Sequence, residues 1–164
     1  YKSFELPVKI VRPFNTYGPR QSARAVIPTI ICQVLNGSNE LKLGSLEPTR
    51  DLTYVKDTCS AFLDIFQSDC FFGDVTNVGM NTGISIGNLA KDIMKFMEVD
   101  LPINTEQKRV RPDKSEVDRL VCDNSKLLNS STWKPKYDLA SGLTETINWF
   151  RENEQLNKPE LYHV

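Results

Sequence analysis

An apolar segment, Val8, Ile10 and Val11, runs directly into Arg12-Pro13-Phe14-Asn15-Thr16-Tyr17-Gly18-Pro19-Arg20. A strand apolar on both faces belongs in a parallel sheet covered by helices. Pro13 interrupts it, and the cluster of Asn15, Tyr17, Gly18 and Pro19 ends a strand and opens a loop. A polar loop at the end of a buried strand is where α/β proteins place ligands. Few parallel partners for this strand follow in the chain. Strand edges and apolar surface left uncovered favour self-association.

The remaining pattern alternates strands with helices, which argues for an α/β fold. The apolar stripe Val26, Ile27, Ile30, Ile31, Val34 and Leu35 predicts a helix over 25–35 ended by Asn36-Gly37, with Pro28 tolerated in its first turn. Leu41 and Leu43 predict a short strand, and residues 50–55 a second. Asp57 reads as the N-cap of a helix to about residue 67, with Thr58, Ala61, Phe62, Ile65 and Phe66 on one face. A buried strand is expected over 74–78. Ser85 then caps a helix with Ile86, Leu89, Ile93, Phe96 and Met97 inward. Residues 102–122 read as irregular, 124–129 as a short helix, Trp133 and Pro135 as a turn, and Asp138 as the start of a last helix carrying Leu139, Leu143, Ile147 and Phe150.

With 25% charged residues interspersed to a net charge of −1, the 164-residue chain offers no electrostatic case for nucleic acid or a membrane surface. No apolar run approaches the ~20 residues of a membrane span. Cys32, Cys59, Cys70 and Cys122 are widely spaced, and His163 is the one histidine, so neither a zinc site nor a disulfide framework is supported. Cys32 and Cys59 read as small core residues of helices, and reduced thiols suit a cytoplasmic protein. The chain lacks an initiator Met, and Tyr1–Phe4 reads as the last turn of a helix begun upstream. No G-x-G-x-x-G and no Tyr-x-x-x-Lys occurs.

Four segments carry a resemblance in order and spacing. They are R-P-F-N-T-Y-G-P-R-Q-S-A-R-A-V-I-P from Arg12 to Pro28, R-D-L-T-Y-V-K-D from Arg50 to Asp57, T-N-V-G from Thr76 to Gly79, and R-V-R-P-D-K-S-E-V-D-R-L from Arg109 to Leu120, the last followed by D-N-S-K and G-L-T-E-T-I-N-W-F. Together they resemble the extended short-chain dehydrogenase/reductases of the NAD-dependent epimerase/dehydratase family. The Q-S-A-R-A-V-I-P stretch is most similar to 4,6-dehydratases of nucleotide-linked N-acetylhexosamines. The resemblance implies the C-terminal, substrate-binding part of an extended Rossmann-type enzyme, with a partial parallel sheet and packed helices. Residues 1–24 would be the last strand region and loop of the Rossmann domain, and residues 25–164 the nucleotide-sugar-binding domain.

A nucleotide diphosphate carries about two negative charges and needs guanidinium forks and amide donors. By resemblance Arg50 and Arg111 contact the diphosphate, with surface salt bridging as the alternative. Arg109 and Arg20 are weaker candidates. Asn15 would donate to a phosphate oxygen or else stabilise the turn. Asn77 would touch the nucleotide or hold backbone. Glu116 matches a position that accepts from ribose hydroxyls in guanosine-sugar dehydratases, for which a carboxylate suits a diol; otherwise it is a solvated acid. Arg24, Ala25 and Val26 match the stretch along the sugar and nucleotide, where glucose 4,6-dehydratases carry Glu-Lys in place of Arg24-Ala25. Pro13 and Phe14 would lie beside the nicotinamide. Asp51, paired near Arg50, and Asp57 read as structural, and Trp133, Tyr137 and Trp149 as packing residues.

The resemblance implies an NAD-dependent 4,6-dehydratase acting on a UDP- or GDP-linked hexose or N-acetylhexosamine. Hydride leaves C4 for NAD⁺, water is lost across C5–C6, and hydride returns to C6. In the family the catalytic Tyr, Lys and Ser/Thr and the acid–base carboxylates precede the segment matched by Tyr1. No catalytic residue is therefore assigned, and this chain alone is expected not to turn over. The intact parent is expected to be a homodimer. The alternatives are a nucleotide-sugar 4-epimerase, a UDP-glucuronate decarboxylase, or a non-catalytic nucleotide-sugar-binding module.

Overall fold

In the computed structural model, residues 1–110 and 116–153 are described. The α/β expectation holds, with the sheet in pieces. Strand β1 (Ile10–Pro13) pairs in parallel with β6 (Val75–Val78), and β2 (Asn15–Tyr17) in parallel with β5 (Leu52–Tyr54). Strand β3 (Leu41–Leu43) pairs in parallel with β8 (Ile103–Thr105). The two-residue β4 (Thr49–Arg50) lies between antiparallel β7 (Ile84–Ser85) and parallel β9 (Arg119–Leu120). The helices are α1 (Val26–Leu35), α2 (Val55–Gln67), α3 (Ile86–Phe96), α4 (Ser125–Ser130) and α5 (Leu139–Glu152). None of the described helices is long and apolar enough to cross a membrane.

Two cores result. The larger gathers Ile27, Ile30 and Ile31 of α1, Leu89, Ala90 and Ile93 of α3, and Leu143, Ile147 and Phe150 of α5 around Tyr17, Leu41, Leu43 and Tyr54. The smaller joins Ala61 and Ile65 of α2 to Val78, Leu127, Phe71 and Trp133. Tyr137 and Trp149 pack against the larger core as half-buried residues. The Trp133 indole N–H donates to Asp57 O (3.1 Å) and Ser60 Oγ (3.0 Å).

Helix starts show which local signals suffice. Ser85 accepts the Asn88 N–H (3.2 Å) and Asp138 the Ser141 N–H (2.8 Å), as expected of N-caps. Asp57 does not cap α2. The helix begins two residues earlier behind Tyr54, and the buried Asp57 carboxylate accepts the N–H groups of Lys136 and Tyr137, both at 2.9 Å. The expected strand over 50–55 is likewise divided at Asp51. Its buried carboxylate accepts the N–H groups of Met80 (2.9 Å) and Cys122 (3.0 Å) and makes no pair with Arg50. Both acids satisfy backbone amides distant in sequence, which the sequence pattern does not reveal.

Several burial expectations are corrected, Phe96 of α3 among them, which is exposed and not inward. Cys59 is exposed, while Cys32 is buried. Phe62 and Phe66 face solvent, Phe66 being 80% exposed, although Thr58, Ala61 and Ile65 of the same helix are buried. The apolar strand begins at Ile10, and Ile10 is exposed because β6 is the one strand paired with it among the described residues. Val8, Ile10, Phe62, Phe66, Phe72 and Val75 thus leave apolar surface around the β1–β6 ribbon. Lys9 crosses this region. Its ammonium donates to Ile65 O (2.8 Å), Phe66 O (3.1 Å) and Ser68 O at the end of α2, and lies 4.4 Å from the Phe72 ring centroid.

Candidate functional site

The ends of β2, β3 and β4 and the start of α1 enclose a cleft of about 300 Å³. Asn15, Arg24, Ala25, Val26, Arg50 and Glu116 all line it, and so does Arg109. Six expected site residues, spread from position 15 to position 116, therefore share one wall. Arg111 lies outside the described residues. Asn77 stands apart on β6 opposite Arg12, its side-chain amide donating to Asp123 O (3.4 Å). Arg20 lines a different cavity, beside Trp149 and Phe150.

Each element positions its side chain for a local reason. Asn15 opens β2 and donates its amide to Asp51 O (3.1 Å), tying the loop to the β4–β5 junction. That bond uses one amide hydrogen, and the amide has a second hydrogen and a carbonyl oxygen to offer. Helix α1 starts at Val26 with no side-chain cap and no acid in its first turn, so its positive dipole end is uncompensated beside Arg24. Gly44 follows β3, and a Cβ there would lie 2.3 Å from Arg109 O. Only glycine lets the residue-109 backbone close on that strand and bring Arg109 to the cleft.

Among the described residues four cations line the cleft, Arg24, Lys42, Arg50 and Arg109, against one carboxylate, Glu116. The Arg50 Nη2 donates to Glu116 Oε1 at 2.5 Å, and the two side chains are 14% and 17% exposed. Arg50 Nη1 donates to Thr49 O (3.0 Å) and Val117 O (2.6 Å). Arg109 Nε donates to Glu106 Oε2 (2.8 Å), and that bond, with Lys108 beside it, holds the Glu106 carboxyl below the usual range. Lys42 pairs loosely with Glu40 at 3.5 Å on the surface. The Arg24 guanidinium has no partner among the described residues. Such a surface binds anions by forked hydrogen bonds and charge.

Sequence reasoning missed Lys42, Gln21, Gly44 and Ser45 among the lining residues. Lys42 carries a readable signal, an exposed lysine between two buried leucines on a short strand. A second depression of about 280 Å³ adjoins the cleft, lined by Arg12, Pro13, Phe14, Asn15 and Leu120. Asn15 belongs to both. Among the described residues no cluster of three or more His, Cys, Asp or Glu could hold a metal ion.

The sequence profile of the family described as GDP-mannose 4,6 dehydratase matches residues 1–146. The chain belongs to that family. It is an extended short-chain dehydrogenase/reductase of the NAD-dependent epimerase/dehydratase group, as its four segments imply. It is 28% identical over 158 residues to the dTDP-D-glucose 4,6-dehydratase of Homo sapiens, covering 93% of this chain and 44% of that protein. It is 34% identical over 154 residues to the UDP-N-acetyl-alpha-D-glucosaminuronate decarboxylase of Bacillus cytotoxicus, covering 91% and 48%. The crystal structure of dTDP-glucose 4,6-dehydratase from Bacillus anthracis in complex with NAD superposes with a TM-score of 0.80 at 29% identity, covering 95% of this chain and 48% of that one. The chain thus spans about half the length of these relatives. In this family member the sheet pieces belong to a Rossmann-type fold, and the solved structures it resembles include complexes with NAD and with NADPH.

Proposed function

We propose that the cleft is the nucleotide-diphosphate clamp of an NAD-dependent nucleotide-sugar 4,6-dehydratase. The observation that carries this reading is the convergence of Arg50, Arg109, Arg24 and the Asn15 amide on one cleft, from segments widely separated in the sequence. Arg50 and Arg109 bind the diphosphate oxygens, Asn15 donates a further hydrogen bond, and Glu116 accepts from the ribose. Arg111, outside the described residues, joins them in this reading. Arg24, Ala25 and Val26 lie along the sugar.

The depression at Pro13 and Phe14 fits one face of the nicotinamide. It offers the apolar surface of Pro13, Phe14 and Leu120 beside the Asn15 amide, with Arg12 at the same depression. NAD supplies hydride acceptance and return when bound, and the residues of this chain orient the sugar against it. The reaction is loss of water from a UDP- or GDP-linked hexose or N-acetylhexosamine to the 4-keto-6-deoxy sugar. The parent works as a cytoplasmic homodimer. This chain by itself binds nucleotide and does not turn over.

A decarboxylase reading has one observation in its favour, the 34% identity to a uronate decarboxylase. Calorimetric titration with UDP and GDP tests the clamp. Saturable binding of one of them, weakened by salt and lost in Arg50→Ala, is the expected result. Absence of binding to both overturns the clamp in this chain. Formation of 4-keto product by this chain with NAD⁺ and a nucleotide hexosamine would overturn the claim of no turnover.

A further inference from the structure

Arg109 reaches the cleft from a short segment tied to the end of β3. Strand β8 ends at Thr105 opposite Leu43, and the Glu106 N–H extends the ladder by donating to Leu43 O (2.9 Å). A single 3-10 turn, Gln107–Arg109, follows, and the Arg109 N–H returns to Glu106 O (2.9 Å). The Arg109 carbonyl lies against Gly44, where a Cβ would come within 2.3 Å of it. Within this turn one carboxylate oxygen meets two cations unequally. Glu106 Oε2 accepts from Arg109 Nε at 2.8 Å, the side chains being 19% and 14% exposed, while Lys108 Nζ stands 3.3 Å from the same oxygen on a side chain 65% exposed. Arg109 is among the lining residues of the cleft, and Lys108 is not.

We infer that Glu106 is a positioning residue for the anion site, its carboxylate holding the Arg109 Nε–H and so fixing the plane in which that guanidinium meets a diphosphate. The inference rests on the reading of the cleft as a nucleotide clamp. An exposed pair such as Lys108 with Glu106 adds little. A pair withdrawn from solvent at hydrogen-bond distance orients the rigid guanidinium fork, and a binding group performs best when its own support is fixed. Glu106 also acts by charge, and there it works against the ligand, since a carboxylate near an anion site repels it. Orientation works the other way, because an arginine not already held loses rotamer freedom on binding. The two effects have opposite signs, so the response to changing Glu106 tells them apart.

The test is calorimetric titration of the full chain with UDP and GDP at one fixed salt concentration. Glu106→Ala is expected to bind about fivefold more weakly than wild type, the order of immobilising one long side chain. Glu106→Gln loses the charge but keeps an acceptor for the Nε–H, and it is expected to bind within about twofold of wild type. Glu106→Asp keeps the charge but withdraws the oxygen by one methylene, and it is expected to fall below Glu106→Gln. This pair carries the test should Glu106→Ala not fold. Lys108→Ala is expected to bind like wild type. In an Arg109→Ala background, Glu106→Ala is expected to cost nothing further, because no guanidinium is left to orient. Glu106→Ala binding as tightly as wild type, or more tightly, overturns the inference. So does Glu106→Asp binding more tightly than Glu106→Gln, or a loss from Glu106→Ala that persists undiminished without Arg109. In each case Arg50-dependent nucleotide binding leaves the clamp standing. Failure of wild type to bind UDP or GDP overturns the clamp and this inference together.

Discussion

Tyr17 and Gly142 illustrate how tightly single residues are specified around the larger core. Tyr17 is buried, packs edge-on to Tyr54 with centroids 5.6 Å apart, and donates its hydroxyl to Leu139 O (3.4 Å). Burial, with Tyr54 beside it, pushes its ionisation far above the ordinary phenol range. A Cβ on Gly142 would lie 2.1 Å from the Tyr17 hydroxyl oxygen. Gly142→Ala gains about 1 kcal/mol of helix propensity but overpacks a pinned side chain, at a cost of about 1–3 kcal/mol. The clash is severe and the neighbour cannot rotate away, so the variant should unfold at lower urea concentration than wild type. The Tyr17→Phe/Gly142→Ala double variant should recover part of that loss, because the obstructing oxygen is gone. Additive losses in the cycle would rule out the clash. The same scale sorts the thiols. Cys122 is buried and its pKa is pushed up to about 12 by burial, with Asp51 and Asp123 adding to the effect, while Cys59 and Cys70 are exposed.

Elements are held at their ends by charge. At the start of α5 the Ser141 hydroxyl and amide donate to Asp138 and hold its carboxyl below the usual range. Glu145, one turn further along, is held low by Lys56 first and then by the Tyr54 hydroxyl, which donates to it at 2.6 Å. Both are lower folded than unfolded. Their stabilisation is therefore present above the ordinary carboxylate value and lost as pH falls through the folded values. Urea melts should be nearly level from pH 7 to about 5 and fall steeply below about 4. Asp138→Asn keeps a capping side chain but removes one titrating group, so its acid slope should be shallower. An identical slope would show that Asp138 contributes nothing to acid unfolding. Legibility differs at this scale for a physical reason. Ser85 and Asp138 bond residues three positions on, within a window that local pattern reading covers. Asp57 bonds Lys136 and Tyr137, and Glu116 bonds Arg50, and no local spacing announces such pairs.

At the scale of the whole molecule, the apolar segment that opens the chain points to a covered parallel sheet, and the structure supplies only part of the cover. The alternation of helices and strands and the uncovered edge were legible in advance. The division of the described strands into four small sheets was not, because two- and three-residue strands carry too few residues for a period to show. Phe62, Phe66, Phe72, Val8, Ile10 and Val75 leave exposed apolar surface around a two-stranded ribbon with free edges. Such a surface should drive self-association. Sedimentation at rising concentration should show dimers or larger species, reduced in Phe66→Glu, whose side chain is 80% exposed and absent from both cores. A concentration-independent monomer would refute this.

The register of the strands bears on how the chain reaches this structure. Residue 10 faces 75, residue 15 faces 52, residue 41 faces 103, and residue 49 faces 119. Among the described strands no two sequence neighbours form a hairpin that could zip up from a turn. Each pairing must close a long loop before any contact rewards it, which is the condition for slow folding. The helices can form early, but they have no sheet to dock on until those distant segments meet. Until then the strand edges and the phenylalanines of α2 stand open to neighbouring chains, and the time spent searching for register is when aggregation competes with folding.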